Sequence, residues 1–317
     1  MNNRSKPANI ASLVVIAATL CVANPARAQD AAPTPTPTPE LAPEPVLFLD
    51  GAGYSCLPGD SAGGTWVDRS ASHNNAVSQN YWLSPALKTN ATPNGKNSVD
   101  FYNNGYRNDS EGDLAWAKPL KLATALDSAA FTTAPTFTLT FLAKIDAPTG
   151  TNPVMLFGTT TSGALAYRIN TAGTQTLTRY GTGDVANSPA TEGNVYTFGT
   201  WAIFTVTYDY QAGTRMYLND KMVWSNTALN ISFTASALTL IGSTPFQGEI
   251  AAVKVYDSVL STGQLTADYT ALIASYITAA PETPAVPEPE NTAAFLGAFM
   301  AAAGAVLVTL RNRKHVR

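Results

Sequence analysis

The sequence predicts an all-β protein: a two-sheet antiparallel sandwich of jelly-roll type with one short helix near its C-terminal end. Three observations carry that reading. Between two proline-rich stretches, short apolar runs alternate with Gly, Asn, Asp and Pro, as strands separated by turns do. The clearest run, Thr136 to Ile145, has a period of two, with Phe137, Leu139, Phe141, Ala143 and Ile145 on one face and Thr138, Thr140 and Lys144 on the other. Only one segment, opening at Ser261, combines a helical period with a helix start signal.

Taken in order, residues 1–28 read as a secretory signal. Arg4 and Lys6 give a positive start, Ile10 to Ala23 an apolar stretch, and Ala26-Arg27-Ala28 a small-residue cleavage site that places the cut between Ala28 and Gln29. The apolar stretch is shorter than the roughly 20 residues a bilayer-spanning helix needs. Residues 29–45 follow as a linker. Pro33, Pro35, Pro37, Pro39, Pro43 and Pro45 remove amide donors and favour an extended, semi-rigid stalk.

Residues 46–278 form the body. Beyond Thr136 to Ile145, short strands are expected over Trp201–Tyr208, Arg215–Leu218, Lys221–Trp224, Leu238–Ile241 and Ile250–Tyr256. Asn219-Asp220 separates two of these runs by two residues, a hairpin signal weakened by the reluctance of Asp to take positive φ. Ser261-Thr262-Gly263-Gln264 is a capping box with Leu260 and Leu265 at staple spacing around it. Leu265, Tyr269, Leu272, Ile273 and Tyr276 then make an apolar stripe that should lie on a sheet. Trp66, Trp201 and Trp224 fall within strand runs and are expected in the core.

The C-terminal end has three parts. Residues 279–291 are a second proline-rich linker containing Pro287-Glu288-Pro289. Residues 292–310 are uncharged and would span about 28 Å as a helix, enough to cross a membrane. Residues 311–317 carry Arg311, Arg313, Lys314 and Arg317, which by the positive-inside rule stay cytoplasmic and leave the body on the far side, as the signal requires.

Composition narrows the chemistry. Of 317 residues, 45% are hydrophobic and 13% charged, which excludes wholesale disorder. Between the two basic ends remain 12 of the 19 basic residues and all 22 acidic ones, a balance of −10 that argues against nucleic acid as a partner. With Cys21 inside the signal, Cys56 has no intramolecular partner. No C-x-x-C, H-E-x-x-H or EF-hand spacing supports a transition metal or a calcium loop. Calcium is the one cofactor left open, its densest oxygen supply lying around Asp109, Glu111 and Asp113. Sugars stack on exposed aromatic rings, and Tyr81, Trp82 and Trp116 lie in loop-like surroundings. His73 sits in a polar Ser-His-Asn-Asn turn with no G-x-S-x-G elbow to make it a catalytic base.

Several blocks resemble a known family. Gly64-Thr65-Trp66-Val67-Asp68-Arg69-Ser70 followed by His73-Asn74-Asn75-Ala76 is similar to the opening of laminin-G/concanavalin A-like lectin domains. Trp201 to Tyr208 with Met216-Tyr217-Leu218-Asn219-Asp220-Lys221, and Ile241-Gly242-Ser243 through Leu260-Ser261, resemble its central and closing blocks. The resemblance implies a concanavalin A-like sandwich that binds polysaccharide or matrix components. Ala251-Ala252 stands where many members carry an acidic pair, which weakens an inherited calcium site. The same fold hosts glycosidases, but the E-x-D-x-x-E strand spacing that would bring two carboxyls together is missing, so a non-catalytic module is expected. A glycan-cleaving enzyme and a purely structural matrix protein remain the alternatives. The order Pro-Glu-Pro, weakly hydrophobic span, basic end resembles the PEP-CTERM sorting tail of Gram-negative bacteria. That resemblance implies an exosortase-type processing enzyme as partner, transient residence in the inner membrane, and a mature form at the cell surface or in the extracellular matrix. A plain tail anchor is the competing reading.

Overall fold

The computed structural model describes residues 40–56, 63–78, 84–101, 119–126, 130–148, 154–158, 162–179, 183–187, 194–227, 231–233, 240–243 and 246–278. These form sixteen strands: β1 Leu47–Ser55, β2 Thr65–Asp68, β3 Ala76–Ser78, β4 Ala86–Lys88, β5 Ser98–Asp100, β6 Leu120–Leu122, β7 Thr136–Ile145 and β8 Val154–Gly158, then β9 Leu165–Ile169, β10 Gln175–Arg179, β11 Gly183–Asn187, β12 Trp201–Asp209, β13 Gly213–Leu218, β14 Lys221–Asn226, β15 Leu240–Ser243 and β16 Gly248–Tyr256. One helix, α1 Thr262–Leu272, continues directly into a π-helical turn, Ile273–Ile277.

Every strand pairing is antiparallel, and the order β11-β10-β9-β8-β15-β6-β3-β2-β1-β16-β7-β12-β13-β14 is one hydrogen-bonded path. The path folds back on itself. Phe141 of β7 meets Phe157 of β8 at 5.7 Å and Tyr167 of β9 at 6.1 Å, although these strands are far apart in the order. Gln175 of β10 likewise donates to the Tyr217 carbonyl of β13. Two layers therefore face one another, and β1 makes the join: Leu47 to Asp50 pair with β16, and after a register shift Tyr54 and Ser55 pair with β2. This is the antiparallel sandwich with a terminal helix that the sequence implies.

The period of two in β7 explains the core. Its five apolar inward residues are all fully buried, and so are Phe204, Val206 and Tyr208 across from them on β12. Each large side chain so buried contributes roughly 1.5–3 kcal/mol. The outward face is covered in part by α1, beneath which Leu142, Ile203, Ala251, Ala252, Leu272 and Tyr276 make a second, smaller apolar cluster. Burial here comes from the predicted stripe: Leu272 and Tyr276 are buried, and Tyr269 and Ile273 pack beside them. The capping box is present in both directions between Ser261 and Gln264.

Two expectations are corrected. Only Trp66 of the three strand tryptophans is fully buried in the core, its indole nitrogen donating to the Asp50 carbonyl; Trp224, opposite the buried Met216, packs half-buried against the core, and Trp201, opposite Lys144, is half-buried beside the cluster under α1. Asp220 in the β13–β14 hairpin meets no conformational penalty. Of the turn pair only Asn219 lies at positive φ, 58°, and its side-chain oxygen accepts from the Ile203 amide and ties the turn to β12.

Candidate functional site

The conspicuous motif residues turn out to hold the corner of the sandwich. Asp68, at the end of β2, is buried and accepts from the amides of Phe48, Ser70 and Asn74 and from the Ser70 hydroxyl. Asn74 exchanges two hydrogen bonds with the backbone of Thr124, and Asn75 accepts from the Asp68 amide. The carboxylate has no capacity left for a substrate. His73 is exposed at φ 50°, a residue of the turn after β2.

Glu249 at the start of β16 is closed in the same way. It is buried, with Lys144 of β7 at 2.5 Å, Lys88 of β4 at 2.8 Å and the Ser98 hydroxyl at 2.9 Å. Burial by itself would push its pKa up; the hydrogen bonds from Lys144, Lys88 and Ser98 and the charge of Lys144 outweigh that and hold it below the usual carboxylate range. On α1 the buried Asp268 pairs with Lys254 and accepts from the Tyr256 hydroxyl, and burial together with the Asp268 charge drives the Tyr256 phenol up. These acids stabilise the sheet and dock the helix on it.

One surface feature is built differently. On the outer side of β1 and β16 lies a groove of about 480 Å³, within the size range of small-ligand sites. Its floor is Phe48, Asp50 and Lys254; one wall is the β4–β5 connection with Asn94, Lys96 and Asn97, and the other is the end of α1 with its π-turn, from Ala271 to Tyr276. Asn94 joins the walls, donating from its side chain to the carbonyls of Ala274 and Ser275 and from its amide to that of Tyr276. The extra residue of a π-turn leaves such carbonyls available. Gly51 lets β1 run against the Asn97 backbone: a Cβ there would sit 2.0 Å from the Asn97 carbonyl oxygen.

The polar groups of the groove converge. Asp50 accepts from the amides of Ala52 and Gly53 through one oxygen and meets the Arg69 guanidinium at 2.7 Å through the other. Arg69 is half-exposed and uses a single nitrogen in that contact. Lys254, spent on Asp268, lies 5.3 Å above the Phe48 ring. The Tyr276 ring is buried at 8% exposure, and its phenol is raised by burial and the Asp50 charge, against the lowering effect of Arg69.

Tyr81, Trp82 and Trp116, the calcium candidates Asp109, Glu111 and Asp113, the cleavage pair Ala28 and Gln29, and Pro287, Glu288 and Pro289 all lie outside the described residues. Among the described residues there is no group of three or more His, Cys, Asp or Glu able to hold a metal, and no helix long and apolar enough to cross a membrane. Sequence reasoning missed Asp50, Arg69, Lys96, Asn97 and, as a polar group, Tyr276. The one available signal was the amide-rich run from Asn90 to Asn97.

Fold and site together define an antiparallel β-sandwich with a surface groove. Residues 120–266 match the Laminin_G_3 family model, described as the concanavalin A-like lectin/glucanases superfamily, so this chain carries a concanavalin A-like lectin-fold domain. No curated protein matches the chain. Among solved structures it is similar to the binding domain of botulinum neurotoxin DC in complex with rat synaptotagmin II (12% identity, 72% of this chain and 52% of that one, TM-score 0.49). It is also similar to domain 4 of AbnA, a GH43 extracellular arabinanase from Geobacillus stearothermophilus, in complex with arabinotriose (15% identity, 71% and 98%, TM-score 0.48). A Trypanosoma rangeli sialidase mutant is matched at 13% identity over 73% of this chain and 33% of its own, TM-score 0.44. The chain thus spans about half the length of the neurotoxin domain.

Proposed function

We propose that this protein is a non-catalytic, exported polysaccharide-binding module. The observation that carries the reading is the groove between the β4–β5 connection and the π-turn, where a buried tyrosine, amide side chains and a half-exposed arginine converge, as they do where sugars bind. It is supported by the closed state of Asp68, which accepts four hydrogen bonds, and of Glu249, whose two oxygens are held by Lys88, Lys144 and Ser98. A screen of the whole protein, purified in detergent, against immobilised glycans and for glycan hydrolysis tests it. Binding without turnover is expected; turnover would replace it with the enzyme reading, and binding to nothing with the structural one.

Residues 1–28 direct export across the inner membrane of a Gram-negative bacterium, and residues 292–310 hold the chain there with residues 311–317 inside. An exosortase-type enzyme then cuts at or near Pro287-Glu288-Pro289 and passes the acidic body to the cell surface or matrix. The order of the three C-terminal parts supports this reading. Mass spectrometry of the mature protein from its host should recover a truncated form outside the cell; intact peptides running from Thr283 through the span, with no such form, would establish a plain tail anchor.

A further inference from the structure

Resting on the polysaccharide-binding reading, we infer that the groove at Asp50, Arg69, Lys96 and Tyr276 selects a carboxylate-bearing saccharide over a neutral one. The first argument is charge. The chain between its basic ends is acidic by ten charges, yet the groove lining carries Arg69, Lys96 and Lys254 against the single carboxylate of Asp50. Asp50 balances Arg69, and Asp268 behind the floor balances Lys254, which leaves the exposed Lys96 ammonium with no counter-charge among the described residues. A cation set in a groove on an acidic surface attracts and orients an anionic ligand.

The second argument is unspent hydrogen bonding. The Tyr276 hydroxyl belongs to a side chain more than nine-tenths buried, faces the Asp50–Arg69 pair, and has no hydrogen-bond partner among the described residues. The Asn97 side chain accepts from the Asn90 amide and keeps its NH₂ unused. Arg69, bound to Asp50 through one nitrogen, keeps its remaining N–H groups. Hydroxyl, NH₂, guanidinium and ammonium are all donors. A ring bearing a carboxylate and hydroxyls supplies the matching acceptors, and charge-assisted contacts to the carboxylate are the strong ones. Phe48, half-buried on the floor beneath Lys254, makes part of the lining apolar.

The test titrates the whole protein in detergent with polygalacturonate, dextran and dextran sulfate, using wild type, Lys96→Gln and Tyr276→Phe. Lys96 is exposed and has no ion-pair partner among the described residues, and Tyr276→Phe keeps the ring, so unfolding does not confound either variant. Polygalacturonate should bind, weaken severalfold as NaCl is raised to about 0.5 M, and lose roughly fivefold in affinity in each variant, with dextran at least tenfold weaker. Polygalacturonate binding that both variants leave unchanged would overturn this site while the polysaccharide reading stands. Dextran bound as well as polygalacturonate would overturn the carboxylate selection, and dextran sulfate bound equally well and equally in both variants would reduce it to general polyanion attraction. Failure to bind any glycan in the wider screen would remove the polysaccharide reading itself and this inference with it.

Discussion

Asp68 and Asp50 stand on neighbouring strands, both buried, and they do opposite things. Asp68 takes four hydrogen bonds from three residues and the corner closes around it. Asp50 spends one oxygen on two backbone amides and the other on an arginine that is still half in water. Glu249 belongs with Asp68: two lysines and a serine enclose it. Buried polar groups must be paired, so a fully engaged carboxylate reports on folding. Donors left facing solvent around a partly engaged one report on binding. The difference lies in the partners and not in residue type or burial.

If that contrast is right, Asp68→Ala is the most damaging change to either set. It strands several buried donors at once, each costing about 1–3 kcal/mol, so a loss of roughly 4 kcal/mol is expected in urea unfolding. A loss below about 1 kcal/mol would mean that water replaces the carboxylate and that the corner is less closed than its contacts imply. Groove binding should be disturbed only through the fold.

Glu249→Gln comes next. It leaves Lys88 and Lys144 as like charges beside a neutral amide; with Lys88 about half-exposed the expected cost is roughly 2 kcal/mol. Acid should reproduce it. The folded-state pKa of Glu249 lies below its ordinary value of 4.5, so its contribution is complete above that pH and is lost as pH falls through the lower folded value. Stability measured downward from about pH 4.5 should therefore fall more steeply in wild type than in Glu249→Gln. Parallel curves would remove Glu249 from the closed class.

The fold was more legible than the site, and the reason is physical. Thr136 to Ile145 shows its inward face as an alternation, and β7 has those same ends. The capping box at Ser261 is a local hydrogen-bond exchange, visible in four residues. Strands β8 to β11 gave less signal. Thr176 and Thr178 are buried polar residues, so β10 shows no apolar alternation. The groove was invisible because it draws on β1, the residue after β2, the β4–β5 connection and the π-turn, segments more than 200 residues apart in the chain at the extreme. Tyr276 was read correctly as part of the apolar stripe, and that reading hid its hydroxyl. Nor does anything local in α1 reveal that Asp268 pairs with Lys254 and Tyr256 beneath it.

Ser261→Ala probes the wall of the groove without entering it. Losing the cap acceptor for the Gln264 amide should cost about 1 kcal/mol. The π-turn is held separately, by Asn94 on its carbonyls and by Leu272 and Tyr276 in the apolar cluster, so glycan affinity should be unchanged. A parallel loss of affinity would show that helix start and groove wall move as one unit.

The smallest effect on stability, and the sharpest on the comparison, belongs to Asp50→Asn. The amide oxygen can still accept from Ala52 and Gly53, and the Arg69 partner that is lost is half-exposed and free to hydrate. Pairs of that kind are worth about 0–1 kcal/mol, so the unfolding midpoint should barely move. The groove, however, loses its one lining carboxylate and Arg69 is released toward the ligand. Affinity for polygalacturonate should rise about threefold or more at low salt, and the gain should shrink as salt screens it. Asp68→Asn offers the control, since its amide would put an NH₂ against donors and could only destabilise. A large loss of stability in Asp50→Asn with no gain in binding would place Asp50 beside Asp68 after all, and the distinction between closed and open carboxylates on this sheet would fail.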